Sequence, residues 1–408
     1  MSRSIALPVV LFLLLSCCAH ASAATDAPRI GIATMEPGEI FFERFGHNAI
    51  IVDDPARAEP LSYNFGFFDL DEEGFLGRFV RGDMLYRLAE LPWREDLSYY
   101  RSSGRGVIVQ WLDLDPAAAQ ALAAALADNA RPENSRYRYD YFVDNCATRV
   151  RDAIDRATGG ALKGTLTART HHNSYRSEAV RLASPASWMW LGFDLGLGPA
   201  SDRPLSQWED AYVPMRLADS LRGVRLDNGR PLVRQEERVA EHRIAPEPAE
   251  FRFVWWRWLI GGIALAALWT FARARAPRTA AAFALLFWSM AALLGVTMLL
   301  IWLGTLHRFG WANHNLLLLS PLSLLLWPGA WRASRGRAPG RMFRLALITI
   351  TALAALAPAL HWAMPNAQAN AHWIALLLPV HTAFALAWLR RPATGAPSAG
   401  RRASTTLS

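Results

Sequence analysis

Cys146 is the residue of this chain whose type and position best suit covalent chemistry. The chain has 408 residues and three cysteines, and the other two, Cys17 and Cys18, lie close to the N-terminus. The thiolate is the nucleophilic form of cysteine, and the first turn of a helix stabilises it through unpaired backbone N–H groups and the helix dipole. A single thiol in the body of an exported domain therefore favours a nucleophilic role for Cys146, although buried cysteines with a purely structural role are also common.

The residues around Cys146 predict that it opens a helix. Asp144 and Asn145 immediately precede it, and both residue types cap helix N-termini. Apolar side chains then recur at helical spacing, and Gly159-Gly160 ends the pattern. The free N–H groups of such a helix start can also form an oxyanion hole. We therefore expect Asp144 and Asn145 to act as cap residues beside an oxyanion site.

A thiol nucleophile needs a base, and His47 is the histidine best placed to supply one. It follows Gly46 and leads into the apolar strand sequence Ala49–Val52, so its ring can lie at the mouth of a sheet. The pair His171-His172 lies in a polar stretch typical of a surface, and His242 lies in a charged segment. A half-buried histidine without a catalytic role remains the alternative for His47.

A third polar group usually orients the base, and three candidates follow His47 within the reach of one hairpin. They are Tyr63, Asn64 and Asp69. We predict Asn64, while an ordinary strand with alternating polar residues explains the same segment.

Short apolar runs and helix signals around these residues predict an α+β domain. Strands are expected at 29–35, 49–52, 107–112 and 136–143, and helices at 116–128 and from Cys146 to the glycine pair. Residues 185–250 have an irregular pattern with the aromatic residues Trp188, Trp190 and Phe193, which either pack inside the domain or lie at a membrane interface.

The C-terminal part has the composition of a membrane bundle. Charged residues form 19% of the chain, against about 25% in typical soluble domains. Five apolar segments, at about 254–272, 280–303, 314–331, 344–362 and 372–389, approach the length of a bilayer span. Arginines concentrate at 273–278, at 332–341 and after residue 389, which places those loops in the cytoplasm and the soluble domain outside. The net charge of +8 therefore indicates membrane orientation, and we expect no nucleic-acid partner.

The N-terminus predicts export. Arg3, an apolar run and the small residues Ala21–Ala24 form a signal peptide, with a lipobox ending at Cys17 as the alternative. We therefore predict a signal peptide over 1–24, a periplasmic domain over 25–233, a linker over 234–253, a transmembrane bundle over 254–391 and a disordered cytoplasmic tail over 392–408.

Several motifs together resemble the Lnb N-terminal periplasmic domain family. They are Phe45-Gly46-His47-Asn48-Ala49, the segment from Tyr63 to Asp69, Phe79-Val80-Arg81-Gly82, and Asp144-Asn145-Cys146-Ala147-Thr148-Arg149. The order of histidine before cysteine is also similar to the permuted papain/NlpC-like thiol fold of lecithin:retinol acyltransferase-type enzymes. Those enzymes usually carry a second histidine shortly after the first, and this chain has none between His47 and Cys146.

The resemblance implies an acyltransferase of the bacterial inner membrane whose thiol faces the periplasm. The implied donor is a membrane phospholipid, and the implied acceptor is the N-terminal amine of a diacylglyceryl lipoprotein. We expect no metal and no cofactor. His307, Asn313 and His314, between the second and third apolar segments, are candidate contacts to a lipid headgroup, although a plain polar loop is an alternative. A thiol hydrolase, either a phospholipase or an NlpC-like cell-wall peptidase, and a non-enzymatic binding module of the envelope also remain open.

Overall fold

The computed structural model describes residues 27–250, 252–365 and 367–389. The predicted signal peptide with Cys17 and the predicted tail at 392–408 lie outside these residues. The chain divides into two compact units. The first comprises Met1–Asp194 and Arg203–Phe251, and the second comprises Leu195–Asp202 and Arg252–Ser408.

The first unit is built on a seven-stranded antiparallel sheet. Its strands are β1 Arg29–Met35, β2 His47–Asp53, β3 Leu61–Phe67, β4 Leu85–Pro92, β5 Val107–Leu112, β6 Arg136–Arg138 and β7 Val233–Ala240. They lie in the order β6-β4-β3-β2-β1-β5-β7, and each neighbouring pair is antiparallel. Met35 pairs with His47, so the histidine begins its strand at one end of the sheet.

Helices cover both faces of this sheet. They are α1 Phe75–Arg81, α2 Trp93–Ser102, α3 Pro116–Asn129, α4 Cys146–Ala157, α5 Ala161–Leu166, α6 Tyr175–Ala183, α7 Ser187–Gly196, α8 Gln207–Asp210 and α9 Pro214–Arg222. Ile32 and Ile50 pack with Val150 and Ile154 of α4 in the larger core. Ala49 packs on the opposite face in a second core, whose members include Tyr100 of α2. Both sheet faces are therefore buried, as the apolar runs of β1 and β2 require.

The predicted α+β architecture is confirmed, and the strands expected at 29–35 and 107–112 have those bounds. The strand expected at 136–143 is too long, because β6 ends at Arg138. Asp140 and Asp144 then exchange backbone hydrogen bonds of 3.0 and 3.2 Å across a turn. This turn redirects the chain into α4.

The expectations for residues 185–253 are wrong in two respects. The stretch expected to be irregular contains α7 and α9, and residues 195–202 belong to the second unit. The expected linker at 234–253 holds β7, which pairs with β5 from Leu112 to Val107. Strand β7 is the edge strand, and five of its consecutive residues are exposed. Its sequence therefore shows none of the apolar alternation that predicts a strand.

The second unit is helical, as expected for a membrane bundle. Its helices are α10 Trp255–Arg275, α11 Pro277–Gly304, α12 Trp327–Ser334, α13 Arg341–Ala363 and α14 Ala371–Leu389. Among the described residues, four segments are long and apolar enough to cross a bilayer: Pro277–Gly304, Arg308–Ser334, Arg341–Ala363 and Ala371–Leu389. The first predicted span is the helix α10, which has three arginines within 21 residues and falls outside this set.

The third predicted span is not a regular helix. It consists of the 3-10 segments Arg308–Gly310, His314–Leu317 and Pro321–Leu326, followed by α12. Irregular backbone at membrane depth needs protein partners for its polar groups. A buried amide supplies one of them, because Gln368 accepts the N–H of His314 over 2.7 Å. Further bonds join side chains: Gln368 donates to Asn313 over 3.1 Å, and Asn370 donates to Asn315 over 2.9 Å.

The basic segments of the second unit lie at one end of the bundle. Gly336 lies so close to Arg278 that an added Cβ would be 2.9 Å from its Nε. Arg273, at the end of α10, donates to the carbonyl of Ala387 near the end of α14 over 2.8 Å. The arginine-rich loops and the end of the last helix therefore share one end, which is the arrangement that positive-inside orientation requires.

Candidate active site

Cys146 is the first residue of α4, and the sequence before it fixes that start. Asn145 is extended, and its Oδ1 accepts the Thr148 N–H over 2.9 Å. The Thr148 hydroxyl in turn accepts the Asn145 N–H over 2.7 Å, which completes a capping box. Cys146 as a whole residue is 8% exposed. A small side chain at a capped helix start thus places sulfur next to the unpaired N–H groups of the first turn.

His47 lies beside this thiol at the start of β2. Glycine is required at position 46, just before His47. Gly46 adopts φ +74°, and an added Cβ would lie 2.8 Å from the carbonyl oxygen of Met35. The imidazole shares a hydrogen bond with the thiol. Its Nε2 donates to Asn64 Oδ1 over 2.9 Å, which leaves Nδ1 to face sulfur.

The two groups shift each other's pKa toward an ion pair. Burial raises the pKa of the Cys146 thiol, but the positive charge of His47, its hydrogen bond and the backbone N–H groups of Asn48 and Ala147 outweigh burial and lower it. Burial lowers the pKa of His47, but the thiolate charge, the hydrogen bonds to Cys146 and Asn64 and the charge of Asp96 outweigh burial and raise it. Both shifts move the pair toward thiolate and imidazolium.

Asn64 occupies the position of an orienting residue. Its Nδ2 donates to Asp96 Oδ2 over 3.0 Å, and Ser62 donates to the same oxygen over 2.7 Å. His47, Asn64 and Asp96 thus form a buried relay that begins at the thiol. Of the other two candidates, Tyr63 points into the α4 face of the sheet, and Asp69 accepts the N–H of Asp71 in a loop.

Asp96 has no signal in the sequence that marks it as part of a site. It lies in the first turn of α2, and acidic residues are common at helix starts. Its role follows only from the pairing of β3 with β4, since α2 follows β4 directly and packs against both strands.

The tyrosines around the thiol supply a further polar group that the sequence did not indicate. An added Cβ on Gly66 would lie 3.8 Å from both the Cys146 Cβ and the Tyr137 hydroxyl, so both groups border the same point. That hydroxyl is buried and has no hydrogen-bond acceptor among the described residues. Burial, followed by the charge of Cys146, raises the pKa of Tyr137 well above its usual value. It is therefore an O–H donor directed at the surroundings of the thiol.

The two residues before Cys146 have separate positions. Asn145 is the cap, and its Nδ2 donates to the carbonyls of Tyr141 and Tyr212 over 2.9 and 3.0 Å. Asp144 accepts from Arg149 Nη2 over 2.8 Å. The donors that reach sulfur are instead the backbone N–H groups of Asn48 and Ala147.

The other histidines of the first unit make different contacts. His171 Nδ1 lies 2.9 Å from Asp210 Oδ2, and His242 Nδ1 accepts the N–H of Gly106 over 3.0 Å. His172 is exposed and has a positive φ of 61°. Among the described residues, His47 is the histidine in hydrogen-bond contact with Cys146.

The candidate headgroup residues lie in the second unit. Asn313 is 98% buried, and its amide donates to the carbonyls of Leu195, Gly196 and Leu197 over 2.7 to 3.2 Å. These bonds and the one from Gln368 occupy its side chain, so we assign Asn313 to the fold of the second unit. His307 and His314 flank the 3-10 segments of the broken span, and a lipid contact for them stays a prediction.

Two family models match the chain. The model described as the Lnb N-terminal periplasmic domain matches residues 19–177, and the model described as the Lnb transmembrane domain matches residues 254–392. No curated protein and no solved structure matches it. The first range contains His47, Asn64, Asp96, Tyr137 and Cys146, and the second contains every helix from α10 to α14.

Proposed function

The chain belongs to the Lnb family, and from that premise we propose that it is a thiol acyltransferase anchored in the inner membrane. It is a membrane protein with a periplasmic domain. The observation that carries the proposal is the buried pair of Cys146 and His47 at a capped helix start. We propose a membrane phospholipid as donor and the N-terminal amine of a diacylglyceryl lipoprotein as acceptor.

In the first half-reaction the Cys146 thiolate attacks the ester carbonyl carbon of the phospholipid. The carbonyl oxygen becomes an oxyanion, and its donors are an N–H of the first turn of α4 and the Tyr137 hydroxyl. The carbon–oxygen bond to the glycerol then breaks. The departing alkoxide takes the proton of the His47 imidazolium, so a lysophospholipid leaves and an acyl thioester and a neutral imidazole remain.

In the second half-reaction the amine attacks the thioester carbon. An α-amine has a pKa of about 7.7–8.0, so a useful fraction is neutral near pH 7. His47 accepts the amine proton, the carbon–sulfur bond breaks, and the thiolate leaves. The product is an amide, and the thiolate–imidazolium pair is restored without a cofactor.

The relay behind His47 supports both half-reactions. Asn64 holds the ring through Nε2, so Nδ1 stays directed at sulfur and at the proton that moves. Asp96 fixes the Asn64 amide in turn, which prevents it from rotating to present Nδ2 to the ring. Such outer contacts keep a catalytic histidine in one tautomer and orientation.

The proposal is tested with the full chain in phospholipid vesicles. We expect a hydroxylamine-sensitive thioester at Cys146, which discharges when a diacylated lipopeptide with a free N-terminus is added. The same lipopeptide with an acetylated N-terminus should leave the thioester intact. Equal discharge in water with and without the lipopeptide would identify a hydrolase. Lipoprotein mass spectra that are unchanged in cells carrying Cys146→Ala would identify a non-enzymatic module.

A further inference from the structure

The first unit carries an exposed apolar surface. It is formed by the 3-10 turn Phe41–Glu43 with the residue before it, by α1 and by the start of α7. Its six large apolar side chains each expose 40–72% of their surface, and we call them the aromatic rim: Ile40, Phe41, Phe42, Leu76, Val80 and Trp188. Phe41 stacks on Trp188 with ring centroids 5.9 Å apart, so distant parts of the sequence form one surface.

A continuous path of rings connects the rim to Cys146. The Phe42 ring contacts Phe68 at 5.4 Å, and Phe68 stacks on Tyr86 at 5.0 Å. Tyr86 contacts Tyr139 at 4.5 Å. An added Cβ on Gly66 would lie 3.3 Å from the Tyr139 ring and 3.8 Å from the Cys146 Cβ, so this path of ring contacts ends at the nucleophile. The rim is therefore packed on the side chains that border Cys146.

The chain runs from the rim directly into the membrane unit. Helix α7 runs unbroken from Ser187 to Gly196, and residues from Leu195 to Asp202 belong to the second unit. Seven residues of helix, about 10 Å, separate Trp188 from Leu195. Leu195 accepts a hydrogen bond from Asn313, which follows α11 on the side away from the arginine-rich loops. In the predicted orientation that side faces the periplasm, so the chain that follows Trp188 enters the membrane unit at its periplasmic end.

We propose that the aromatic rim inserts into the outer surface of the phospholipid bilayer and so brings donor phospholipid to the domain that carries Cys146. Insertion stands on the rim itself, whereas delivery of the donor to Cys146 rests on the proposed function. Tryptophan and phenylalanine are the side chains that enter the interfacial region of a bilayer. Four carboxylates lie in the adjoining loop at 69–73, so insertion is driven by apolar burial.

The test of insertion uses p-benzoylphenylalanine placed at Phe42 or at Trp188 in the full chain, reconstituted in bilayers of phosphatidylethanolamine and phosphatidylglycerol. After irradiation we expect phospholipid adducts by mass spectrometry at both positions, and the yield should not fall at raised salt. The control positions are Asn228, in the exposed turn before the edge strand β7, and Leu303, which is 73% exposed on the membrane helix α11. Adducts at Leu303 but none at either rim position, or adducts to another protein at the rim, would overturn the proposal.

A second arm separates this proposal from the proposed function. The triple variant Phe41→Ser, Phe42→Ser, Trp188→Ser should form thioester from vesicle phospholipid about tenfold or more slowly, because three inserting side chains are lost. It should react at the wild-type rate with a soluble p-nitrophenyl ester, and Asn228→Ser should match the wild type with both donors. Equal rates of the triple variant and the wild type with vesicles would refute delivery of the donor through the rim. Failure of the wild type with every donor would instead refute the proposed function and leave the cross-linking result standing.

Discussion

The contact between His47 and Asn64 predicts a specific change in the pH dependence of acylation. In Asn64→Ala the imidazolium loses the acceptor 2.9 Å from its Nε2. That hydrogen bond raises the pKa of His47, so its removal lowers the pKa. The neutral ring also donates to Asn64 through Nε2, so only the difference between the two bonds changes the pKa. A hydrogen bond contributes about 1.5–3 kcal/mol when one partner is charged and about 0.5–1.5 kcal/mol when both are neutral, which leaves a difference of about 1–1.5 kcal/mol.

The sign follows from the form of His47 that acts as the acid. Protonated His47 supplies the proton to the departing alkoxide, and that form is lost as pH rises through its pKa. At 1.36 kcal/mol per unit, the alkaline limb of thioester formation from phospholipid should therefore move about one unit toward lower pH in Asn64→Ala. A p-nitrophenyl ester releases a stable phenolate and needs no proton from His47. With this ester, Asn64→Ala and the wild type should therefore show the same dependence on alkaline pH.

Two controls make the prediction specific. Ser62→Ala removes one donor to Asp96 but leaves the contact between His47 and Asn64, so its alkaline limb should stay within about half a unit of the wild type. Near-ultraviolet circular dichroism checks that Asn64→Ala folds. An alkaline limb of folded Asn64→Ala that coincides with that of the wild type would refute the orienting role of Asn64.

Three further predictions follow from the site and the bundle. Cys146→Ser should abolish labelling by an electrophilic acyl probe while the protein is still produced and folded; equal labelling of both proteins would exclude Cys146 as the nucleophile. Tyr137→Phe should slow thioester formation about 100-fold, as expected for the loss of one oxyanion donor, with little change in thermal stability; an unchanged rate would remove Tyr137 from the oxyanion site. Reporters fused at successive points along the bundle should report the cytoplasm and the periplasm in alternation, beginning with the cytoplasm. A periplasmic signal from the fusion after Ser408 would mean an even number of spans. The fusion points are after Ala276, Asn313, Gly336, Ala367 and Ser408.

Local signals predicted the parts of the fold that local physics determines. The bounds of β1 and β5 follow from apolar runs, and the start of α4 follows from the cap before Cys146 and the glycines at its end. The edge strand β7 was missed, because a strand with five exposed residues in a row needs no apolar face. The third membrane segment was expected to be regular, since mean hydropathy does not register the prolines and buried amides that interrupt it.

The candidate site likewise contains residues that local signals identify and residues that they do not. His47 and Cys146 stand out by residue type and by their position at the start of an element. Asn64 is one of three polar residues that follow His47 within one hairpin, and only the register of β2 and β3 distinguishes it. Asp96 and Tyr137 reach the site through the pairing of β4 with its two neighbours. The contact of Asn64 with Asp96 joins residues 32 positions apart, and no local pattern encodes it.

The amide network of the second unit imposes an order on biosynthesis. Residues 195–202 emerge from the ribosome and are exported more than 100 residues before their partners at Phe309 and Asn313 are made. Asn313 in turn meets Gln368 only after another 55 residues. The periplasmic end of the bundle is therefore completed last, by the segment that leads into α14. A chain that stops before Gln368 leaves Asn313 and Asn315 without their amide partners, and membrane quality control can recognise the unfinished protein by those exposed polar groups.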